Sequence, residues 1–164
     1  MRIAIVSDTH LPRGSRTLPE ACVERLVSAD AILHRGDFMA VEVLDWLEGL
    51  GPPVHGVLGN VDDATLQDRL PERHVAEVGG ARIGMVHIPG PKAGRVERLR
   101  RLFPDTEAVV FGHTHLPEHA DTGDGFQVFN PGSPTERRRA PARTMGMATV
   151  GDGGRVAFEL VAVG

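Results

Sequence analysis

Short apolar runs rich in Val and Ile recur along the chain, each closed by polar punctuation, a pattern that predicts buried strands joined by helices and turns. Residues 2–6 (RIAIV) are the first such run. Residues 19–29 place Ala21, Cys22, Leu26 and Val27 roughly on one face of a helix, and residues 31–33 predict the next strand. In residues 41–50, Val43, Leu44, Leu47 and Leu50 fall in a 3.6-residue stripe, which Gly49, Gly51 and Pro52 bring to a stop. Residues 54–58 predict a third strand. Strands alternating with helices imply right-handed crossovers and a largely parallel sheet covered by the helices.

The second half changes character. Residues 73–78 and 81–87 flank Gly79-Gly80 and predict a tight hairpin. Residues 92–103 predict a helix with Val96, Leu99, Leu102 and Phe103 inward and Arg95, Arg98, Arg100 and Arg101 outward. Strands follow at 107–111, 126–129, 144–150 and 155–161, with turns such as Gly151-Asp152-Gly153-Gly154 between them. The expectation is one α/β domain over residues 1–164 that ends in an antiparallel section.

Composition sharpens this. A length of 164 residues suits a core of this kind without disulfides or a structural metal. A net charge of −4 gives no strongly basic footprint for nucleic acid. The one cysteine, Cys22, forms no internal disulfide and points to a reducing, cytoplasmic setting. No apolar run approaches the roughly 18 residues of a membrane span. No basic region with a small-residue cleavage site precedes the first strand, so neither secretion nor a membrane partner is expected. Eight His against no Tyr and a single Lys is the unusual count, and their positions carry the chemistry.

Five predicted strands end alike. Asp8 and His10 follow the first, Gly36-Asp37 the second and Gly59-Asn60 the third; His87 closes the strand from 81, and Gly112-His113-Thr114-His115 follows 107–111. Ligands of open α/β sheets sit outside the carboxyl ends of the strands. Two carboxylates, one amide and four imidazoles therefore converge on one rim, all oxygen or nitrogen donors suited to Mn²⁺, Fe, Co²⁺, Ni²⁺ or Zn²⁺. Seven donors exceed the need of one ion and suggest two. An extended His113-Thr114-His115 would turn both imidazoles to one side, one toward each ion. With only Asp8, Asp37 and a bridging hydroxide as anions, the site stays net positive and attracts a phosphate ester. Singly, these motifs read as Asx-turns, ordinary turns and a half-buried histidine. Alternating His113 and His115 have few structural uses, and the joint pattern favours metal.

In this order and together with Asn130-Pro131-Gly132-Ser133, these motifs resemble the calcineurin-like metallophosphoesterase superfamily. More narrowly, they resemble its small single-domain bacterial and archaeal phosphodiesterase branch, over residues 3 to about 135. The resemblance implies a four-layer α/β/β/α sandwich, two packed mixed sheets flanked by helices. It implies that Asp8, His10, Asp37 and His115 hold a first ion, that Asp37 bridges, and that Asn60, His87 and His113 complete a second. Mn²⁺ is the favoured ion, with Fe, Ni²⁺, Co²⁺ or Zn²⁺ as alternatives. The implied reaction is in-line attack on a small phosphoester by a hydroxide shared between ions roughly 3.5–4 Å apart, with Asp37, Asn60 and His87 around it.

Two departures stand out. Where many relatives have a His after the Asn, this chain has Val61, so leaving-group protonation is in question; where relatives often have Gly and a second His after the position of His87, it has Ile88-Pro89. The alternatives are a non-catalytic protein-interaction scaffold, as in the superfamily's endosomal-sorting subunit, and a nuclease, for which no basic groove is evident. A single-zinc hydrolase is disfavoured by the absence of a His-Glu-x-x-His helix. A homo-oligomer through sheet edges is open.

Other residues read more plainly. His34 is either an internal strand histidine or support behind Asp37. Arg35 is either a phosphate contact or a solvated or paired arginine. His55, His74 and His119 read as surface or edge residues. Arg137-Arg138-Arg139 with Arg143 read as a solvated run, with steering of anionic substrate as the alternative. Trp46 and Cys22 read as helix-face packing, Met145 and Met147 as strand core, and Thr9 and Thr114 as spacers.

Overall fold

In the computed structural model, which describes residues 1–164, the first Val/Ile run becomes β1 (Arg2–Val6). Its alternation feeds two cores at once: Ile3 and Ile5 enter one apolar cluster, Ala4 and Val6 another. A strand buried on both faces belongs in the middle of a sheet, and β1 lies there. It pairs in parallel with β2 (Ala31–His34), which pairs in parallel with β3 (Val54–Gly56). Helices α1 (Glu20–Val27) and α2 (Val41–Glu48) make the crossovers, burying Cys22, Leu26, Val43, Leu44 and Leu47 against the sheet. On its other side β1 pairs antiparallel with β9 (Thr144–Val150), and β9 with β10 (Val156–Ala162).

The chain between β3 and β9 builds a second sheet. After the short helix α3 (Ala64–Arg69), the hairpin of β4 (Arg73–Val78) and β5 (Ala81–Val86) turns at Gly79-Gly80 as the sequence predicts. Helix α4 (Arg95–Leu102) crosses to β6 (Ala108–Val110), and β7 (Glu118–Asp121) and β8 (Gln127–Asn130) finish the sheet in the order β4-β5-β6-β8-β7. Ile3, Ile5 and Leu33 of one sheet pack on Ile83, Met85, Val110 and Phe129 of the other. Leu99 and Phe103 cover the outer face of the second sheet with Val109, Phe111 and Val128. The result is the expected helix–sheet–sheet–helix sandwich with two mixed sheets. No helix is long and apolar enough to cross a membrane.

Several expectations need correction. α3 and β7 were not predicted: α3 has six residues and one buried apolar side chain, Leu66, while β7 (EHAD) has no apolar run to mark it. The helix expected from 92 starts at Arg95, after Gly94 takes a left-handed φ of 64°. Arg95 is not outward. It is buried, pairs with Glu118 at 2.5 Å, donates to the Gly90 carbonyl at 3.0 Å and lies over the Phe111 ring. A guanidinium with a fixed counter-charge, a carbonyl and an aromatic face has found partners that offset desolvation. Trp46, expected to pack, is 40% exposed.

Candidate metal centre

All seven candidate donors stand in loops leaving the carboxyl ends of β1, β2, β3, β5 and β6, on one rim. Asp8, His10, Asp37, His87 and His115 are buried, while Asn60 and His113 are exposed to the opening. Asp8 Oδ1 lies 3.3 Å from His115 Nε2 and 4.0 Å from His10 Nε2. Asp37 Oδ2 lies 3.4 Å from His10 Nε2 and 3.3 Å from His87 Nε2. Asn60 Oδ1 faces both His87 Nε2 and His113 Nδ1, each at 3.0 Å. Two donor groups result, one around Asp8, His10 and His115 and one around Asn60, His87 and His113, with Asp37 between them and Asp8 Oδ1 also within 3.9 Å of His87 Nε2.

The ring nitrogens are oriented from behind. His87 Nδ1–H donates to the Arg35 carbonyl at 2.6 Å and His115 Nδ1–H to the Glu136 carbonyl at 3.3 Å, so each turns Nε2 into the site. This is how imidazoles are held ready for a metal. His10 Nε2 and His115 Nε2 are buried with no hydrogen-bond partner. Buried polar atoms normally have one, so these two nitrogens fit a cation that would take their lone pairs.

The second layer corrects other readings. Thr9 and Thr114 are not spacers: Thr9 Oγ1 accepts from His34 Nε2–H at 3.1 Å, and Thr114 Oγ1 accepts from Asn130 Nδ2 at 3.0 Å. His34 Nδ1 accepts from Gly36 N–H at 3.2 Å, so His34 ties the Asp8 loop to the Asp37 loop. Arg35 is fully buried and donates to the Val6 carbonyl at 3.0 Å, so it is neither solvated nor able to touch substrate. Burial pulls its pKa down to about 9, which leaves it charged at neutral pH. Ser133 Oγ donates to the Asp8 carbonyl at 2.8 Å. Asp62, which sequence reasoning passed over, accepts from Gly59 N–H at 2.7 Å, Asp37 N–H at 3.2 Å and Met39 N–H at 2.8 Å, joining the loops of Asp37 and Asn60. Its only sequence signal is the repeated Asp62-Asp63 after Gly59-Asn60.

His113 and His115 are not extended; both are left-handed, with φ of 70° and 60°. The chain here turns beneath the site, with His113 N–H donating to Asp8 Oδ2 at 3.1 Å, so the two rings enter from a folded loop. Gly112 makes that loop possible: a Cβ there would collide with the Ser7 hydroxyl and come within 2.9 Å of Asp8 Oδ2.

Charge follows the geometry. Burial pushes the Asp8 carboxyl up, but His115, His87 and the Ser7 hydroxyl override it and hold it below its usual range. Asp37 is held well below its usual range against its own burial by His10, His87 and the Val61 N–H. Burial drives His87 down, yet Asp37, Asp8 and the Arg35 carbonyl raise it overall. Burial, and then the charge on His87, lower His113. Two ionised carboxylates amid imidazoles of opposed tendency make a cation-seeking pocket.

Sequence comparison agrees. The profile of the calcineurin-like phosphoesterase superfamily domain matches residues 1–153. A probable metallophosphoesterase of Methanothermobacter thermautotrophicus is 31% identical over 166 residues, spanning 100% of this chain and 94% of the relative. Wild-type Vps29 of Entamoeba histolytica, solved in complex with Zn²⁺, has a TM-score of 0.76 and 26% identity over 100% of both chains. An archaeal phosphodiesterase shares the fold, with a TM-score of 0.71 and 21% identity over 98% of this chain and 100% of that one.

Proposed function

Because the chain belongs to the calcineurin-like phosphoesterase superfamily, we propose that it is a two-metal phosphodiesterase acting on small phosphoesters. The observation that carries this reading is the place of Asp37, whose Oδ2 faces His10 of one donor group and His87 of the other at 3.4 and 3.3 Å. Asp8, His10, Asp37 and His115 would hold one divalent ion, and Asp37, Asn60, His87 and His113 the other, Mn²⁺ being favoured. When bound, the ions supply charge neutralisation of the phosphoryl group and activation of the attacking water.

The chain supplies the rest. Neutral imidazole and amide donors leave the centre net positive, which draws in a phosphate. His87, fixed by the Arg35 carbonyl, and Asn60 face each other at 3.0 Å. Beside them opens a pocket of about 360 Å³, bordered by Leu58, Glu72, Arg73 and Ile88. Val61 offers no side-chain proton to a departing oxygen; its backbone N–H is spent on Asp37 Oδ1 at 3.1 Å. Good leaving groups are therefore preferred. Cys22 is buried, with its thiol pushed up to about 12 by burial, and an unpaired thiol of this kind fits a reducing cytoplasm.

The test is metal analysis followed by assay with added Mn²⁺. Bis(p-nitrophenyl) phosphate should be turned over far faster than an alkyl phosphomonoester, and Asp37→Ala should abolish turnover and lower metal content while the circular dichroism spectrum stays native. Comparable rates on the two substrates would overturn the leaving-group reading. Protein that never takes up more than one ion would overturn the two-metal reading. The likeness to Vps29 favours a second reading, a protein-binding scaffold, and an absence of turnover on any aryl diester would leave that one standing.

A further inference from the structure

The loop between His10 and α1 does more than link two elements. Its outer side forms a pocket of about 490 Å³ with no hydrophobic lining, walled by Arg13, Arg16 and Arg143 with Ser15, Thr17 and Thr135. Arg13 and Arg143 make no ion pair, and Arg16 has one distant partner, Glu136, whose Oε2 lies 3.8 Å from its Nη1. That Nη1 is buried and has no hydrogen-bond partner. Arg143 is pinned by its backbone, which donates to the Gly164 carbonyl at 2.8 Å and accepts from Val163 N–H at 2.9 Å. Three arginines thus line one pocket, and Glu136, 3.8 Å from Arg16, is the one acid within ion-pair reach of any of them, which suits an anion.

The pocket adjoins the metal centre through Thr135 and Glu136. Thr135 Oγ1 donates to the Thr9 carbonyl at 2.9 Å, and the Glu136 carboxylate that approaches Arg16 also lies 3.6 Å from His115 Nδ1. Glu136 therefore stands between Arg16 and the candidate ligand His115. Guanidinium groups take phosphate through paired N–H donors, and the exposed hydroxyls of Ser15 and Thr17 add neutral donors on the same wall.

We propose that Arg13, Arg16 and Arg143 form a second phosphate subsite, so that the substrate is a small phosphodiester carrying a further phosphate. This rests on the phosphodiesterase reading for the substrate, but the anion site can be read without turnover. Inorganic phosphate is titrated into chelated, metal-free full-length protein at low salt and followed by backbone amide shifts. Shifts at residues 13–17, 135 and 143 are expected. Phosphate affinity should fall roughly tenfold or more in Arg16→Gln/Arg143→Gln and in the exposed single variant Arg143→Gln, and stay unchanged in the charge control Arg82→Gln at the far end of β5. With metal restored, thymidine 5′-(p-nitrophenyl phosphate) bearing a 3′-phosphate should show a KM roughly tenfold below that of the same ester without it. That ratio should collapse toward one in the double variant. Absence of the amide shifts, or equal phosphate affinity in the arginine variants, overturns the subsite. Phosphate binding without a KM preference overturns its role in substrate choice. If neither ester turns over, the phosphodiesterase reading and the substrate role fall together, and the titration still decides the anion site.

Discussion

Asp62→Ala removes the side chain that joins the two central loops. Three backbone N–H groups, of half-buried Gly59, buried Asp37 and half-buried Met39, would lose their acceptor at 2.7, 3.2 and 2.8 Å. A hydrogen bond to a charged group contributes about 1.5–3 kcal/mol net, and an orphaned buried donor costs about 1–3 kcal/mol. The contributions do not add fully, because one carboxylate serves all three. The carboxylate is itself costly: burial raises Asp62 above its usual pKa despite the donors from Met39 and Gly59, and removal recovers that part. The balance is a loss of about 3–5 kcal/mol, a large share of the 5–15 kcal/mol that holds a domain of this size.

Two measurements check it. Urea unfolding of metal-free protein, followed by circular dichroism, should show a lower midpoint with an unchanged slope. Metal titration should show affinity lowered by roughly 10–100-fold, as expected when support behind ligands is removed. The neighbour supplies the control. Asp63 caps α3 by accepting from Leu66 N–H at 2.8 Å and also accepts from Val41 N–H at 3.1 Å, so Asp63→Ala should cost about 1–2 kcal/mol and leave metal affinity as it was. If Asp62→Ala unfolds with wild-type midpoint and binds metal as tightly, the loops are held by something other than this carboxylate, and the reasoning fails.

The remaining predictions concern pH and a buried pair. His87 is raised above its ordinary 6.5, so in metal-free protein its stabilising contribution is complete below that value and is lost as pH rises through the folded one. Asp37 acts at the other end, its contribution being present above the ordinary 3.8 and lost as pH falls toward its depressed value. Metal must displace the His87 proton, so apparent metal affinity should rise by up to about tenfold per pH unit where metal-free stability is falling; calorimetry showing a flat affinity between about pH 6 and 9 would refute this. Glu118→Ala leaves Arg95 buried without its counter-charge and should cost about 2–3 kcal/mol in urea unfolding, below the usual 3–5 because Glu118 is itself 28% exposed. Wild-type stability in that variant would mean that the Gly90 carbonyl and the Phe111 ring suffice.

The sequence carries the fold where apolar periodicity is strong and the site where donor types punctuate strand ends. β1, the β4–β5 hairpin and β9 follow from their Val, Ile and Met runs, and all seven donors do come to one rim. What stays hidden depends on contacts across long stretches of chain. Ser133 reaches the Asp8 carbonyl over 125 positions, and Asp62 reaches Asp37 over 25. No local pattern marks such pairs. Arg95 misleads for a related reason, since its partner Glu118 lies on β7, a strand too polar to be recognised.

Backbone conformation is the other hidden quantity, and it bears most on function. Asp8, His10, Asp37, His113 and His115 all have positive φ, between 46° and 70°. Each such residue costs about 1–3 kcal/mol relative to relaxed backbone, a cost that persists only when the surroundings over-determine the conformation. Asp and His are among the types that tolerate it best. The surroundings here are specific: Asp8 N–H donates to the Gly36 carbonyl at 3.1 Å, His10 N–H to the Asp37 carbonyl at 2.9 Å and Gly112 N–H to the His87 carbonyl at 3.1 Å. Each bond links loops from different strands. The loops that carry the donors are therefore tied to one another by the protein's own backbone hydrogen bonds. A cation that entered a site tied in this way would spend little free energy on ordering the chain.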